Sequence, residues 1–242
     1  HISGSAQPAV RLGLRMVSNL RRSTAERIVE ARSQMPFANV DDLVHRTQIR
    51  AQDVMALAAA DALIALAGHR RQQAWDAAAQ HPIRGLLQVT PVAEARMHLP
   101  EAPEGEEIVA DYAATGLTLR RHPLALLRPL LTREKILTAA ELVNRPHGQY
   151  VHACGLVNMR QRPQTAKGTM FVTLEDETGT VNVIVWPQLV ESQRQPLLNA
   201  QLLSVKGVVQ RDVQSGGSVQ HVIARYLTDM SVLLGRLAKH GG

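Results

Sequence analysis

Residues 170–186 have the sequence MFVTLEDETGTVNVIVW, in which two apolar runs flank a short acidic segment that ends in glycine. In the second run, valines stand at every second position, Val181, Val183 and Val185, which is the period of a half-buried strand. Gly179 supplies the positive φ that a tight turn needs before the second run starts. The stretch therefore predicts a β-hairpin.

Further strand-like segments surround this hairpin and predict one small barrel. The five predicted strands are residues 150–159, 169–175, 180–186, 202–210 and 219–227, and residues 187–198 are predicted as a helix. Three strands, a helix and a final hairpin follow one another in the order of a five-stranded OB-fold β-barrel, a fold that binds oligonucleotides or oligosaccharides. We predict an OB-fold domain over residues 150–230 and a C-terminal helix or tail over residues 231–242.

The first third of the chain has a helical period, with apolar residues every three or four positions. The tight turns at residues 17–20 and 46–49 each lead into a helix. Ser23 and Glu26 have the spacing of a capping box for the first of these helices. Asn39 or Asp41 is expected to cap the helix that lies between the two turns. Residues 1–5, HISGS, are interpreted as an expression-tag remnant.

Two turn-then-helix units in tandem resemble a paired helix-hairpin-helix module, which we predict over residues 6–80. Such modules bind the DNA backbone by directing hairpin amides and a helix N-terminus at a phosphate. The candidate DNA-binding residues are Asn19, Arg21, Arg22, Gln48 and Arg50, with Arg46 beside them. Asn19, Arg21 and Gln48 stand where hairpin glycines are usual, and Asn19 tolerates a left-handed backbone. A plain helical bundle with solvated arginines is the alternative.

Residues 81–149 are predicted as a linker with connecting helices. Four prolines and an acidic run characterise its first part, and the run, which includes Glu104 and Glu107, is interpreted as solvated surface. Helices are predicted at residues 109–118, 123–131 and 134–143. His122, which precedes a proline, is expected to be structural. The fold class is thus α+β and multidomain, with an N-terminal helical domain, a short helical linker and a C-terminal barrel.

The candidate nucleic-acid-binding residues of the barrel lie on one strand and in two loops. They are Arg160, Arg162, Lys167, Phe171 and Arg211. Alternation along its strand places Phe171 on the more polar face, where its ring is available to stack on a base or to pack within the barrel. Trp186 and Tyr226 are assigned to the core or the barrel edge.

Composition favours a polyanionic partner and excludes several other functions. The net charge is +6 and the isoelectric point is about 10.1. Cys154 is the only cysteine, so neither an internal disulfide nor a cysteine-rich zinc site can form, and we expect a buried thiol and a cytoplasmic setting. No apolar run approaches the roughly 20 residues that span a bilayer.

Four common catalytic and nucleotide-binding motifs are absent from the sequence. It has no GxxxxGK[ST] loop, GxGxxG turn, HExxH helix or GxSxG elbow. Glu175, Asp176 and Glu177 form a tight carboxylate cluster, but they occupy the predicted hairpin turn, where solvation explains their charge. We therefore predict a binding protein with no catalytic residue, no metal site and no cofactor.

Four stretches together are similar to the C-terminal region of the bacterial C-family DNA polymerases, and most of all to their error-prone ImuC branch. These stretches are LGLRMV (residues 12–17) running into AERI (25–28), LAAADAL (57–63), TGL (115–117) with HPL (122–124), and residues 168–179. The resemblance implies a noncatalytic, DNA-holding part of a translesion polymerase that acts in damage-induced mutagenesis. It also implies that the palm carboxylates, which bind Mg²⁺, lie upstream of residue 6.

The resemblance also implies partners. Residues 83–88, IRGLLQ, lack the glutamine and aromatic residue of the family's clamp-binding peptide, so direct binding to the sliding clamp is not expected. Recruitment through ImuB, with ImuA as a third component, is expected instead. The candidate partner surface is an apolar stripe of Val232, Leu233, Leu234 and Leu237. One alternative is a module that only docks ImuB. Another is a tRNA-binding OB module, which leaves residues 10–75 unexplained.

Overall fold

The computed structural model describes residues 12–79, 97–211 and 220–237. The chain divides into two compact units, one comprising residues up to Ala102 together with Ala110–Thr118, the other Pro103–Val109 together with residues from Leu119 onward. The predicted α+β class is confirmed. The clamp-peptide segment at residues 83–88 lies outside the described residues.

The first unit is helical. A short 3₁₀ helix, Leu14–Met16, is followed by α1 (Arg22–Gln34), α2 (Val40–Thr47), α3 (Ala51–Ala59), α4 (Ile64–Ala67) and α5 (Arg70–Ala78). Its core is aliphatic, and Leu43, Val54 and Leu57 are almost completely buried there. The two predicted turns therefore fall between packed helices, as the apolar period indicates.

Helix capping in this unit follows one prediction and contradicts another. The Asn39 side chain accepts a hydrogen bond from the backbone N–H of Asp42 and caps α2, as predicted. The capping box of Ser23 and Glu26 is wrong. The extended residue before α1 is Arg21, so Ser23 already has helical geometry and its side chain cannot take the N-cap position.

Helix α6 (Glu104–Thr115) begins five residues before the predicted helix at 109–118, and the acidic run supplies its first turn. That run is not simply solvated surface. Glu107 is buried and lies 2.9 Å from Arg120, while Glu104 pairs with Arg121. Acidic side chains in a first turn also stabilise the positive end of the helix dipole. The interpretation of the acidic run as solvated surface is therefore wrong for Glu104 and Glu107.

Helices α7 (Pro123–Arg133) and α8 (Ala139–Val143) precede the barrel. The predicted helix at 134–143 is too long, because Lys135 adopts a left-handed backbone and Leu137 pairs with Ala153 of the barrel.

The barrel is closed and has five strands in the order β1-β2-β3-β5-β4. They are β1 (Tyr150–Gln161), β2 (Met170–Asp176), β3 (Gly179–Val185), β4 (Leu202–Arg211) and β5 (Gln220–Asp229), and two short helices, α9 (Pro187–Ser192) and α10 (Arg194–Asn199), connect β3 to β4. Every strand agrees with its predicted position to within two residues. The interior is filled by side chains such as Val172, Leu174, Val205 and Leu227.

The carboxylates at the β2–β3 turn are structural. Asp176 is buried, and its carboxylate accepts hydrogen bonds from the backbone N–H groups of Ala139, Thr178 and Gly179. Arg128 of α7 forms a two-pronged ion pair with Glu177. Solvation therefore does not explain these charges, because the turn anchors α7 and α8 to the barrel.

A second core lies outside the barrel, where α7 and α11 (Val232–Leu237) meet the outer side of β1 and β4. Leu233 and Leu237 are buried in it, and Leu234 packs against it. The prediction that the barrel leaves the stripe of Val232, Leu233, Leu234 and Leu237 exposed is therefore wrong for the three leucines. Only Val232, with 72% of its surface exposed, is available to a partner.

Within the described ranges, no helix is long and apolar enough to cross a membrane.

Cys154 is also buried in this second core, as predicted, and burial raises the pKa of its thiol to about 12. The thiol is therefore not a reactive group at neutral pH.

His122 caps α7, and its lowered pKa leads us to expect a pH-dependent stability. Its Nδ1 accepts a hydrogen bond from the backbone N–H of Leu124. Burial lowers the pKa of His122, although the nearby carboxylates of Glu175, Glu177 and Asp176 act in the opposite direction. The neutral ring is thus the folded form, which agrees with the predicted structural role.

We expect the unfolding free energy to fall as pH decreases through about 6.5. At that pH His122 binds a proton in the unfolded chain but stays neutral in the folded one. The replacement His122→Asn keeps a capping oxygen and should remove this part of the pH dependence, at most about 1.4 kcal/mol per pH unit. Urea unfolding of both proteins between pH 5 and pH 8 measures how the unfolding free energy depends on pH. His152, whose pKa burial also lowers, stays in both proteins. Identical pH profiles for the two proteins would contradict the assignment to His122.

Candidate nucleic-acid interface

The loop between β1 and β2 carries two exposed cations, Arg162 and Lys167. A 3₁₀ helix, Gln164–Ala166, leads into Lys167 and Gly168, which both have left-handed backbones with φ of 45° and 89°. Gly168 lies close to both neighbours of this turn, because a Cβ placed there would be in van der Waals contact, at 3.6 Å, with Nη2 of Arg162 and Cγ of Pro187. The turn therefore holds both cations beside the start of α9.

The outward face of β2 and β3 adjoins this loop. Met170, Val172 and Leu174 are buried inside, while Phe171 lies on the outer face, as alternation predicts. Phe171 is paired in register with Ile184 of β3, and Thr173 with Asn182, which share a hydrogen bond of 3.2 Å. The face thus has an apolar end next to the loop and a polar end beyond it.

An open cleft of about 390 Å³ lies between the loop and the apolar end of this face. Its lining is mostly apolar and includes one cation; the residues are Thr165, Ala166, Lys167, Thr169, Phe171, Ile184, Trp186 and Pro187. Two aromatic rings beside a lysine form a site suited to a flat, anionic ligand such as a nucleotide.

Trp186 is a site residue that the sequence-based prediction does not include. The prediction places it in the core or at the barrel edge, whereas half of its surface is exposed and it lines the cleft. The strand alternation contained the necessary signal, because Trp186 follows Ile184 by two positions and so lies on the same face. Tyr226, for which the same prediction is made, is also exposed.

Two predicted basic residues of the barrel are engaged elsewhere. The guanidinium of Arg160 donates to the carbonyl oxygens of Leu197 and Ala200 at the end of α10. That of Arg211 donates to the carbonyl oxygens of Arg145 and Val143 at the end of α8. A cation is favourable at the carbonyl end of a helix, so both side chains fasten helices to the barrel. Arg162, Lys167 and Phe171 are the predicted residues that the structure brings together.

Both turns of the helical unit contain a residue with the left-handed backbone that glycine usually provides in such hairpins. Asn19 and Gln48 adopt left-handed conformations, with φ of 63° and 49°. Helices α1 and α3 start shortly afterwards, and neither N-cap residue, Arg21 or Arg50, provides a side-chain cap. The amides of both first turns therefore have no acceptor from an N-cap side chain, and helix N-termini of this kind can bind a phosphate.

The side chains at these turns differ in what they contact. Arg21 pairs at 2.5 Å with Asp53 in the first turn of α3, and Thr24 donates to the same carboxylate. Burial alone would raise the pKa of Asp53, but the hydrogen bonds from Arg21 and Thr24 outweigh it and hold that pKa below its usual range. Arg21 therefore links the two hairpins, and its guanidinium is largely neutralised.

The remaining candidate DNA-binding residues of the helical unit also differ in what their side chains contact. Arg22 pairs with Glu26 on the surface, and the Gln48 side chain donates to the carbonyl oxygen of His45. Arg46 donates to the carbonyl oxygens of Pro36, Ala31 and Met35, which holds it within the fold. Arg50 is exposed and has no ion pair within the part of the chain that the structure describes. DNA contact at these positions stays a prediction, and it is favoured at Asn19 and Arg50.

Comparison with known proteins supports a helical module and a barrel module in this chain. Residues 2–73 match the helix-hairpin-helix motif family, and residues 151–228 match a family described as an OB-fold nucleic acid binding domain. Neither matched family is a catalytic domain. Among solved structures, asparaginyl-tRNA synthetase from Pyrococcus horikoshii matches 40% of this chain and 23% of its own, with 22% identity and a TM-score of 0.34, a likeness too partial to indicate function.

Curated relatives resemble nearly the whole chain. An error-prone DNA polymerase from Ralstonia nicotianae is 50% identical over 236 residues, covering 96% of this chain, and one from Aromatoleum aromaticum is 51% identical over 235 residues, covering 97%. In both cases the chain spans only 22% of the relative's length. The chain is thus similar, over nearly all of its residues, to a part of the error-prone DNA polymerases that contains a helix-hairpin-helix module and an OB-fold barrel.

Proposed function

We propose that this chain is a noncatalytic, DNA-holding part of an error-prone polymerase of the ImuC branch, and that its barrel binds single-stranded template. The cleft between Phe171, Trp186 and Lys167 is the observation that carries the proposal. Base stacking on an aromatic ring contributes about 1 to 3 kcal/mol and tolerates any base, which suits a polymerase that must hold arbitrary sequence. The similarity to error-prone DNA polymerases supports the same assignment.

The helical unit has a complementary part in this proposal. Its uncapped helix starts, the left-handed Asn19 and the exposed Arg50 suit a duplex backbone, where phosphate contacts position the protein without regard to sequence. The whole polymerase would use Mg²⁺ at a site outside this chain, and no cofactor is proposed for the chain itself.

We also propose that the chain acts within a damage-induced assembly with ImuB and ImuA. The burial of Leu233 and Leu237 leaves Val232 as the exposed residue of the predicted partner stripe, so α11 offers little area for docking. A module that serves only to dock ImuB is therefore the weaker candidate. It would nevertheless become the leading one if the chain bound no DNA.

Replacing the cleft aromatics should weaken binding of single-stranded DNA. We expect Phe171→Ala and Trp186→Ala each to reduce affinity about tenfold, because each removes one stacking surface. Lys167→Ala should reduce the steepness of the salt dependence by about one phosphate contact. Fluorescence anisotropy with a labelled oligothymidylate over a salt series measures both effects.

Matched controls separate the cleft from general surface effects. Arg236→Ala removes an exposed cation from α11, outside the cleft lining, and should change the salt dependence less than Lys167→Ala. Arg160→Ala should act mainly on the unfolding free energy, since its guanidinium holds α10. Equal affinities of the wild-type chain and both aromatic variants would refute the cleft as the binding site.

A further inference from the structure

All tryptophans and tyrosines of this chain are surface residues. Trp75, Tyr112, Tyr150, Trp186 and Tyr226 each expose at least 39% of their surface. Such residues usually contribute large areas to a core, and exposed ones are enriched where a protein binds a partner. Trp186 belongs to the cleft, whereas Tyr150 and Tyr226 lie on other strands of the same barrel and have no part in the site described above.

The strand register connects these tyrosines to the cleft. One outward residue from each strand lies in a continuous transverse row, since Phe171 pairs with Ile184, Ile184 with Ile223, Ile223 with Val208, and Val208 with Tyr150. We call this set the outer row. Its members are all apolar or aromatic; Tyr150 is exposed, Phe171, Ile184 and Val208 are half-buried, and Ile223 is buried. With about 4.8 Å between strands, the row extends about 19 Å around the barrel.

A second set of exposed side chains flanks the outer row. The β4–β5 pairing shifts at Lys206 and Gly207, so that Lys206 faces Tyr226, Gly207 faces Ala224, and Arg225 is the extra residue of a bulge. Because of this bulge, Arg225 and Tyr226 are both exposed, although they are consecutive residues of one strand. Across β4, Lys206 is paired in register with His152 of β1.

The charges of this surface favour nucleic acid as its occupant. Lys206 and Arg225 are exposed and form no ion pair within the described residues, and neither the outer row nor its flank contains an aspartate or glutamate. Exposed aromatic rings such as Tyr150 and Tyr226 beside cations without an ion pair are typical of a single-strand binding surface, in which rings stack on bases and cations contact phosphates. A protein-docking patch would have fewer cations at its centre.

We propose that single-stranded nucleic acid leaves the cleft at Trp186 and continues across β5 and β4 to Tyr150, with Tyr226 and Tyr150 as further stacking positions and Lys206 and Arg225 as phosphate contacts. This extension rests on the proposed function of the cleft. It makes the binding site about twice as long as the β2–β3 face alone. It also assigns the bulge in β5 the role of directing two neighbouring side chains to the same surface.

Oligomer length separates the extension from the cleft. Anisotropy titrations would use oligothymidylates of about 4 and about 12 nucleotides, the first only long enough for the cleft. The double variant Tyr150→Ala/Tyr226→Ala should weaken binding of the long oligomer about tenfold or more and leave the short oligomer unchanged. Lys206→Ala should lower the salt dependence of the long oligomer only. Tyr112→Ala, which removes an exposed tyrosine outside the barrel, is the matched control and should change neither.

Each failure has its own pattern. If Phe171→Ala weakens both oligomers while the tyrosine variant binds the long one as the wild type does, the cleft stands and the extension is wrong. If no variant changes either affinity, or neither oligomer binds at low salt, both proposals are wrong and the exposed rings belong to a protein interface. Thermal unfolding followed by circular dichroism shows whether each variant keeps its fold.

Discussion

Replacing Asp176 with alanine should lower the unfolding free energy of the barrel domain by about 3 to 5 kcal/mol, since it leaves several buried donors without an acceptor. One carboxylate oxygen accepts from the backbone N–H groups of Thr178 and Gly179 and from the Thr178 hydroxyl, and the other accepts from the backbone N–H of Ala139. Arg128 lies 3.6 Å away and would also lose a partner.

The replacement Asp176→Asn tests whether the site needs two acceptor oxygens, because asparagine has nearly the same shape as aspartate but only one. Donors approach both carboxylate oxygens, so either orientation of the amide places an N–H against a backbone N–H. We therefore expect asparagine to be destabilising as well. Glu191→Ala, which removes an exposed carboxylate from α9, is the control and should change stability by less than about 0.5 kcal/mol. Urea unfolding measures all three variants, and a loss below about 1 kcal/mol for alanine would contradict the anchoring role.

Replacing Gly207 with alanine should lower the unfolding free energy by about 3 kcal/mol or more. A Cβ at this position would collide with the carbonyl oxygen of Ile223 and lie 2.9 Å from Cγ1 of Val222. The first of these atoms belongs to the backbone of β5, which cannot move without breaking its pairing with β4 and β3. Overpacking commonly costs about 1 to 3 kcal/mol, and a backbone collision lies at or above the upper end.

Gly235 provides a matched control, because a Cβ there meets nothing within 4 Å. It lies in α11, so Gly235→Ala should be neutral or stabilising by up to about 1 kcal/mol. Thermal and urea unfolding compare the two alanine variants. If the bulge directs Arg225 and Tyr226 as proposed, any folded Gly207→Ala protein should also bind the long oligomer more weakly. Similar stability of both variants would show that β5 tolerates a side chain at position 207.

The barrel strands were predictable because their signal is local. A half-buried strand alternates every two residues, and turn residues such as Gly179 mark its ends. The same reasoning placed Phe171 on the outer face. It fails at residues 134–143, where apolar residues at a helical spacing predict one helix, but Lys135 has a left-handed backbone and α8 starts only at Ala139.

The candidate site was only partly predictable. Arg160 and Arg162 are the same residue type two positions apart, and nothing in the sequence predicts that their roles differ. In the structure, Arg160 donates to carbonyl groups 37 and 40 residues away along the chain, while Arg162 stays exposed in the β1–β2 loop, outside the cleft lining. The same holds for Arg211, whose partners lie 66 and 68 residues away.

The sequence by itself determined the two modules and the five strands, because alternation, helical period and turn residues act over a few positions. Tertiary structure alone decided which cations remain available, that Asp176 is a buried anchor, and that α11 packs its leucines away. It also decided which outward residues share the outer row, since register depends on hydrogen bonds between distant strands. Side chains acquire such roles only when segments remote in sequence bring donors, acceptors or apolar surface to them.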